Sequence, residues 1–205
     1  DMVFQALKRL SGSQAVGPGI FPPVMAKRCA LQLAAPLSKL FNVCFQLEGL
    51  PTDWRVAHVI PVYKMKGERS NLNNYRPVSL TDTVCKVMES CVKQVILTHM
   101  LNNRLLSSSQ HGFLPNRSTL TALLRSTNEW IANLDRGLVT DVVYFDLAKA
   151  FDSVVHSKLL DKCRGYGISG KLLRFVENFL SNRYQRFSFN GYMSDWALVC
   201  PRAPF

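Results

Sequence analysis

Apolar and polar positions along this chain fall into two recurrent periods. From Thr81 or Asp82, apolar Val84, Val87, Met88, Cys91 and Val95 return at helical spacing to about Asn102, which predicts a long helix with one of those two residues as its cap. A second helix is predicted from a Ser118 cap to a Gly137 stop, a third around "HSKLLDKC", and a fourth over "GKLLRFVENFLSN" with Ser169 as cap. Near the start, "ALKRL" reads as a short helix, and two apolar helical stretches follow around residues 24–34 and 37–47, separated at Pro36. Strand patterns appear elsewhere. "RVAHVIPVYK" and "YRPVSL" read as extended, the latter because a residue before proline is driven out of the helical region. "LVTDVVYF" has the β-branched and aromatic content of a buried strand. "YQRFSF", Asn190-Gly191 and "YMSDWALV" form a hairpin signal, since Asn-Gly supplies the two positive φ angles of a tight turn. Helices and strands mix without regular alternation, which predicts an α+β fold and not a doubly wound sheet or barrel.

Composition narrows the partners. The 205 residues are 47% hydrophobic, enough for a sizeable core, and carry 25 basic against 14 acidic side chains for a net charge of +11. That excess favours a polyanionic partner such as nucleic acid, although a basic but otherwise ordinary domain has the same composition. Six scattered cysteines without a C-x-x-C pair suggest reduced, mostly buried thiols in an intracellular, non-secreted protein of cytoplasm or nucleus. No run approaches the ~20 apolar residues of a membrane span. The opening Asp-Met reads as a fragment.

The stretch "VVYFDLAKAFDSVVH" carries the candidate chemistry. Asp146 follows the strand-like run and Asp152 comes six residues later. An acid on the end of a rigid buried strand is a hard oxygen ligand suited to Mg²⁺; equally, it can cap the next helix or sit on the surface.

Five blocks, in order, resemble the reverse transcriptases of non-LTR retrotransposons: "LPTDWRVAHVIPVYKMKG", "NYRPVSLTDTVCKVMESCV", "SSSQHGFLPNRST", "VVYFDLAKAFDSVVHSKLL" and "YGISGKLLRFVENFLSNRYQRFSFNG". The resemblance implies a partial right-hand polymerase fold, with an N-terminal helical region at 1–50, a fingers-like region at 51–135 and an incomplete palm at 136–199. It implies RNA-directed DNA polymerase chemistry on an RNA template and DNA primer with deoxynucleoside triphosphates, with Mg²⁺ or Mn²⁺ as cofactor. Carried over by position, Asp146 is the first metal-binding aspartate and Leu147 offers its backbone carbonyl. Phe151 would lie under the nucleotide sugar; without the resemblance it reads as core beside Val154 and Val155. Lys64, Lys66 and Arg76 would grip the triphosphate, Arg76 in bidentate fashion, against a solvated-surface reading of Lys66. Gln110, His111, Gly112 and Phe113 would face template and nucleotide, and Arg117 a phosphate. Asp152 is expected to be structural. Tyr184, Arg186 and Phe189 either interleave charge and rings on nucleic acid or follow from the alternating faces of a hairpin.

The chain also departs from the family. No Tyr/Phe-x-Asp-Asp pair occurs, "GPGIF" is short against G-P-D-G-I, and Leu114 stands where Arg is common. With one permitted choice of codons, Leu198 to Phe205 reads Gly-Leu-Pro-Gln-Gly-Ser-Val in another frame, resembling a family loop, so residues 200–205 are expected to be an out-of-frame tail. These departures predict a polymerase domain fragment without activity of its own, the alternatives being a non-catalytic nucleic-acid-binding remnant or a product with no function.

Overall fold

A computed structural model describes residues 2–12, 17, 21–147, 150–151 and 153–199. The fold is mixed α+β with a central sheet, as the mixed pattern predicts. The chain forms two compact units, one built from Asp1–Leu97 with Lys149–Phe205, the other from Thr98–Ala148.

The first unit begins with helices α1 (Met2–Lys8), α2 (Pro23–Arg28) and α3 (Ala30–Gln46). The break expected at Pro36 lies instead at Cys29, which serves as C-cap of α2 and N-cap of α3; Pro36 is inside α3. An interior proline costs a helix ~3 kcal/mol, and here burial of Ala30, Ala34, Phe41 and Cys44 on one face of α3 holds the helix through it. A 3-10 turn at Thr52–Arg55 leads into β1 (Val56–Tyr63), and β2 (Tyr75–Leu80) returns antiparallel to it.

The two prolines of this pair face each other, Pro61 opposite Pro77. Lys64 N–H donates to Asn74 O at 2.7 Å, and alternation from that bonded pair makes Pro61 and Pro77 a non-bonded one. Neither ring therefore removes a ladder bond between β1 and β2.

Helix α4 (Thr83–Asn102) follows, and Asp82 Oδ1 accepts from the backbone N–H of Val84 (2.7 Å) and Cys85 (3.1 Å). The expected cap is thus Asp82, itself buried.

In the second unit, α5 (Thr119–Asp135) starts from a capping box between Ser118 and Thr121. It ends as expected at Gly137 (φ +70°), where Leu138 N–H reaches Asn133 O and Gly137 N–H reaches Leu134 O. None of its side chains is buried.

Residues 138–145, expected to be a buried strand, pair with no strand among the described residues. Val139 is 92% and Phe145 91% exposed. A strand owes its hydrogen bonds to a neighbour, so an apolar run states only a preference for burial, and this one has no strand partner among the described residues.

Back in the first unit come α6 (His156–Gly165), α7 (Gly170–Leu180), β3 (Tyr184–Phe189), β4 (Tyr192–Met193) and β5 (Ala197–Leu198). Ser169 occupies the N-cap of α7 without a side-chain cap bond. β3 lies parallel to β1, Val56 opposite Tyr184 through Val59 opposite Phe187, and the pairing stops short of Pro61. The Asn190-Gly191 turn has φ +48° and +83° and joins β3 to β4 as expected. "YMSDWALV" is not one strand. Residues 194–196 oppose only Arg186 and Phe187 between the β4 and β5 pairings, a bulge in which Ser194 N–H donates to Phe187 O and Ser194 Oγ accepts from Phe187 N–H, both at 2.9 Å.

The main core joins α1, α2, α3, α4, Trp54 and Phe175 of α7. Phe41 meets Trp54 edge-on, and Phe45 stacks on Phe175 with centroids 4.6 Å apart. Leu160, Ile168 and Leu173 form a smaller cluster where α6 meets α7. The end of α7 is latched to the start of β1 by Arg55, whose guanidinium donates to Asn178 O (3.2 Å), Ser181 O (2.9 Å) and Asn178 Oδ1. Of the cysteines, Cys44 and Cys85 are buried, Cys91 and Cys163 half-buried, and Cys29 is exposed, so the expectation of buried thiols fails at the loop between α2 and α3. Cys200 lies outside the described residues.

Candidate functional site

The β1–β2 hairpin presents the first group of candidate residues, and its loop is built to hold a shape. Met65 (φ +57°) and Gly67 (φ +77°) turn the chain, and a Cβ at Gly67 would stand 2.5 Å from Asn74 Nδ2. Asn74 Nδ2 donates to Glu68 O (2.8 Å), Tyr75 Oη to Arg69 O (2.9 Å), and Tyr63 Oη to Gly67 O. Arg69 lies over the Tyr63 ring, which in turn tilts against Tyr75. Lys64 Nζ donates to Asn73 O (2.8 Å), so part of its donor capacity already braces the loop. Lys66 and Arg76 are exposed and make no hydrogen bond or ion pair among the described residues. Both cations are free to meet an anion, and Arg76 is the better placed because β2 fixes its backbone.

The second group lies between α4 and α5, in the other unit. Phe113 and Asn116 take positive φ (+62° and +58°), and the Phe113 ring is 79% exposed. Gln110 Nε2 donates to Gly112 O (3.2 Å). His111 Nδ1 lies 2.8 Å from Thr121 Oγ1, which also accepts from Ser118 N–H and can donate to Ser118 O. With the single hydroxyl proton directed to Ser118 O, His111 carries its proton on Nδ1, and its buried Nε2 faces no hydrogen-bond partner among the described residues. Arg117, expected at a phosphate, instead closes its own loop by donating to Ser108 O and to Gln110 O (2.9 Å), and Arg125 adds a bond to Ser108 O (2.8 Å). The loop spends this arginine on its own carbonyls.

Asp146 and Leu147 belong to the second unit as well, whereas Phe151 belongs to the first. Asp146 is exposed and follows a segment that pairs with no strand among the described residues, not the end of a buried strand, which corrects the expectation from its neighbours. Nor does it cap a helix: α6 is the first described helix after it, and Val155 is its N-cap. Phe151 is 77% exposed and is not core. Asp152 lies outside the described residues. A hard divalent cation takes several oxygen ligands, and the described residues hold no group of three or more His, Cys, Asp or Glu able to bind one. Asp146 and the Leu147 carbonyl have the right chemistry in too small a number, so the described residues do not by themselves fit the metal.

Two further clusters form, and of their residues the sequence pointed to Arg186 alone. Arg183 is buried, with its guanidinium 4.6 Å over the Phe179 ring and Nη1 donating to Phe179 O (3.2 Å). Near it Cys85 Sγ donates to Glu89 Oε1 (3.2 Å), and burial, then the Glu89 charge, pushes that thiol up. On the outer face of the sheet, Arg186 Nε donates to His58 Nε2 (3.0 Å) while its guanidinium lies 4.4 Å over Trp196. The basic-aromatic alternation of "YQRFSF" hinted at the second cluster, though His58 joins it only through the β1–β3 pairing; the first had no signal, because its residues come from α4 and the end of α7 and meet only on folding.

Comparison with known proteins decides the family. The profile of the reverse transcriptase (RNA-dependent DNA polymerase) family matches residues 64–201, from the β1–β2 loop through Asp146 to the end of β5. The chain belongs to the reverse transcriptases of non-LTR retrotransposons. It is similar to the RNA-directed DNA polymerase from mobile element jockey of Drosophila melanogaster, 27% identical over 168 residues, covering 82% of this chain and 18% of that protein. A probable RNA-directed DNA polymerase from transposon BS of the same fly is 26% identical over 166 residues, covering 80% of this chain and 18% of the relative. The Pol polyprotein from type-2 retrotransposable element R2DM, also from Drosophila melanogaster, is 24% identical over 199 residues, covering 91% and 17%. This reverse transcriptase chain spans about a fifth of the length of the relatives it matches. No described helix is long and apolar enough to cross a membrane.

Proposed function

We propose that the chain is the fingers and leading palm of an RNA-directed DNA polymerase, gripping nucleotide and template without completing the transfer by itself. The observation that carries this reading is the family match over residues 64–201, which spans the braced hairpin, the 105–118 loop and Asp146. Arg76, with Lys66, supplies free cations for a triphosphate, and Lys64 keeps the loop between them in shape. Gln110, His111, Gly112 and Phe113 form a turn that exposes an aromatic ring to template or nucleotide, while Arg117 maintains that turn. Phe151, exposed, is available to a nucleotide sugar, where an aromatic ring disfavours a 2′-hydroxyl. Asp146 offers one exposed carboxylate, too few ligands by itself to hold the Mg²⁺ or Mn²⁺ that the family chemistry would use. Within these 205 residues no Tyr/Phe-x-Asp-Asp pair adds the carboxylates that would complete the set. The tail at 200–205 lies outside the described residues, and its reading as out of frame is tested by the encoding DNA.

Primer extension tests the proposal. The chain is expected to retain a primed RNA template at low salt and to add no deoxynucleotide with Mg²⁺ or Mn²⁺. Template-dependent incorporation that Asp146→Ala abolishes would refute the inactivity, and no retention of primed template at low salt would refute the gripping role.

A further inference from the structure

One edge of the sheet is β2, which pairs with β1 on one side and with no strand on the other among the described residues. In an antiparallel pair, residues that exchange bonds with the neighbour alternate with residues whose N–H and C=O point away from it. The bond from Lys64 N–H to Asn74 O sets the phase: Arg76, Val78 and Leu80 bond to β1, while Tyr75, Pro77 and Ser79 turn their backbone groups outward. The opposite margin is formed by β4 and β5, two residues each with the bulge between them, too short to template a partner strand.

The outward side of β2 is poor in donors. Tyr75 N–H is taken by Leu72 O, closing the 3-10 turn Leu72–Asn74, and Pro77 has no N–H, which leaves Ser79 alone to donate. Arg76, Pro77 and Val78 are exposed, so a pyrrolidine ring stands in the middle of an accessible edge. Pro61 on β1 is oriented differently: its nitrogen faces β3, and the β1–β3 pairing ends at Val59, two positions before it.

The positions of these residues select which partner is turned away. Two copies of β2 laid antiparallel with Tyr75 to Ser79 overlapping have their two-fold axis at Pro77, with Tyr75 of each opposite Ser79 of the other. Residue 77 would be the central bonded pair, exchanging two N–H···O bonds, and proline donates neither. In that register Arg76 lies diagonal to its own copy on the same face, roughly 7–8 Å away, close enough for the two charges to repel at physiological salt. Arg76 makes no ion pair among the described residues that would offset this.

We propose that Pro77, with Arg76 beside it, closes the free edge of β2 against strand pairing with a second copy of this chain. The device stands apart from the polymerase reading, since it uses only the pairing of β1 with β2. Pro77 acts by withholding a donor, and Arg76 by opposing its own charge.

Sedimentation equilibrium of the full chain over a concentration series measures self-association, and amide hydrogen exchange reads the edge itself. Pro77→Val should tighten self-association about tenfold, the worth of the two central bonds. Added salt should tighten the variant further by screening Arg76, and exchange at Ser79 N–H should slow as its concentration rises. Pro61→Val is the control: its new N–H would face β3, so association should stay within about twofold of the parent. A Pro77→Val variant that folds by circular dichroism and associates no more than the parent overturns the proposal. Equal tightening by Pro61→Val overturns it as well, because the effect would then come from losing a proline anywhere in the hairpin. Tightening without slower exchange at Ser79 places the contact on another face, and concentration-dependent protection of Ser79 in the parent shows the edge already open; either result overturns it. Should Pro77→Val lose its fold, Pro77→Ala supplies the same N–H and decides by the same readings. Loss of fold in both variants overturns the proposal, since a proline outside the β1–β2 ladder should be replaceable.

Discussion

Arg55→Ala should loosen the junction at which β1 and β3 begin. Arg55 immediately precedes β1, and the two residues it holds, Asn178 and Ser181, end α7 just before β3. The guanidinium therefore ties together the starts of two parallel strands 128 positions apart in pairing, Val56 with Tyr184. Removing it strips charged donors from Asn178 O, Ser181 O and Asn178 Oδ1. The Ser181 carbonyl is exposed and recovers water, so the cost comes from the two part-buried bonds. Bonds to charged groups contribute ~1.5–3 kcal/mol each before screening, and a cation at a helix C-terminus adds a few tenths. Allowing for solvent access, the loss should be about 2–3 kcal/mol. Asn178 Nδ2 would still donate to Glu48 O, so α7 should stay docked on the end of α3. The assay is urea unfolding in a Trp130→Phe/Trp196→Phe background, where buried Trp54, adjacent to Arg55, is the remaining indole reporter. Hydrogen exchange at Val56–Val59 locates the effect. Those amides should exchange faster relative to the parent while α1 amides change only by the global loss. A loss under about 1 kcal/mol, or equal acceleration in α1, would refute the latch.

Phe175→Ala, which empties a buried ring stacked on Phe45, should cost ~3–5 kcal/mol in the same urea assay; a loss below 1 kcal/mol would mean the core closes over the gap. Gly67→Ala forces a Cβ onto Asn74 at positive φ and should cost ~1–2 kcal/mol, read as faster tryptic cleavage at Lys66 and Arg69; an unchanged rate contradicts the braced loop. His58 is held below 6.5 in the folded chain, so an unfolded chain takes up its proton first as pH falls. Its contribution to stability should be complete above pH 6.5 and decline as pH falls from there through the folded value, and His58→Gln should flatten that part of the pH profile. Asp146→Asn should change stability by less than about 0.5 kcal/mol, since the carboxylate is exposed and unpaired among the described residues; a larger loss would give Asp146 a structural task.

The sequence by itself determined the elements whose stability is local. The cap at Asp82, the Gly137 stop and the Asn190-Gly191 turn depend on side chains and φ angles within a few residues of each other, and each stands where its residues predict. The α+β class and the family were legible for a related reason: periodicity and ordered motifs are properties of the linear chain. Tertiary structure alone decided the rest. Whether "LVTDVVYF" forms a strand depends on a neighbouring edge, which its own residues cannot supply, and so Asp146 follows an exposed segment with no strand partner among the described residues. Arg117 donates to the carbonyls of Ser108 and Gln110, a pairing that exists only once the loop is folded. The meeting of His58, Arg186 and Trp196 required both the parallel pairing of β1 with β3 and a bulge of one residue. Hydrogen-bond partners far apart in sequence are chosen by packing, and no local pattern encodes that choice.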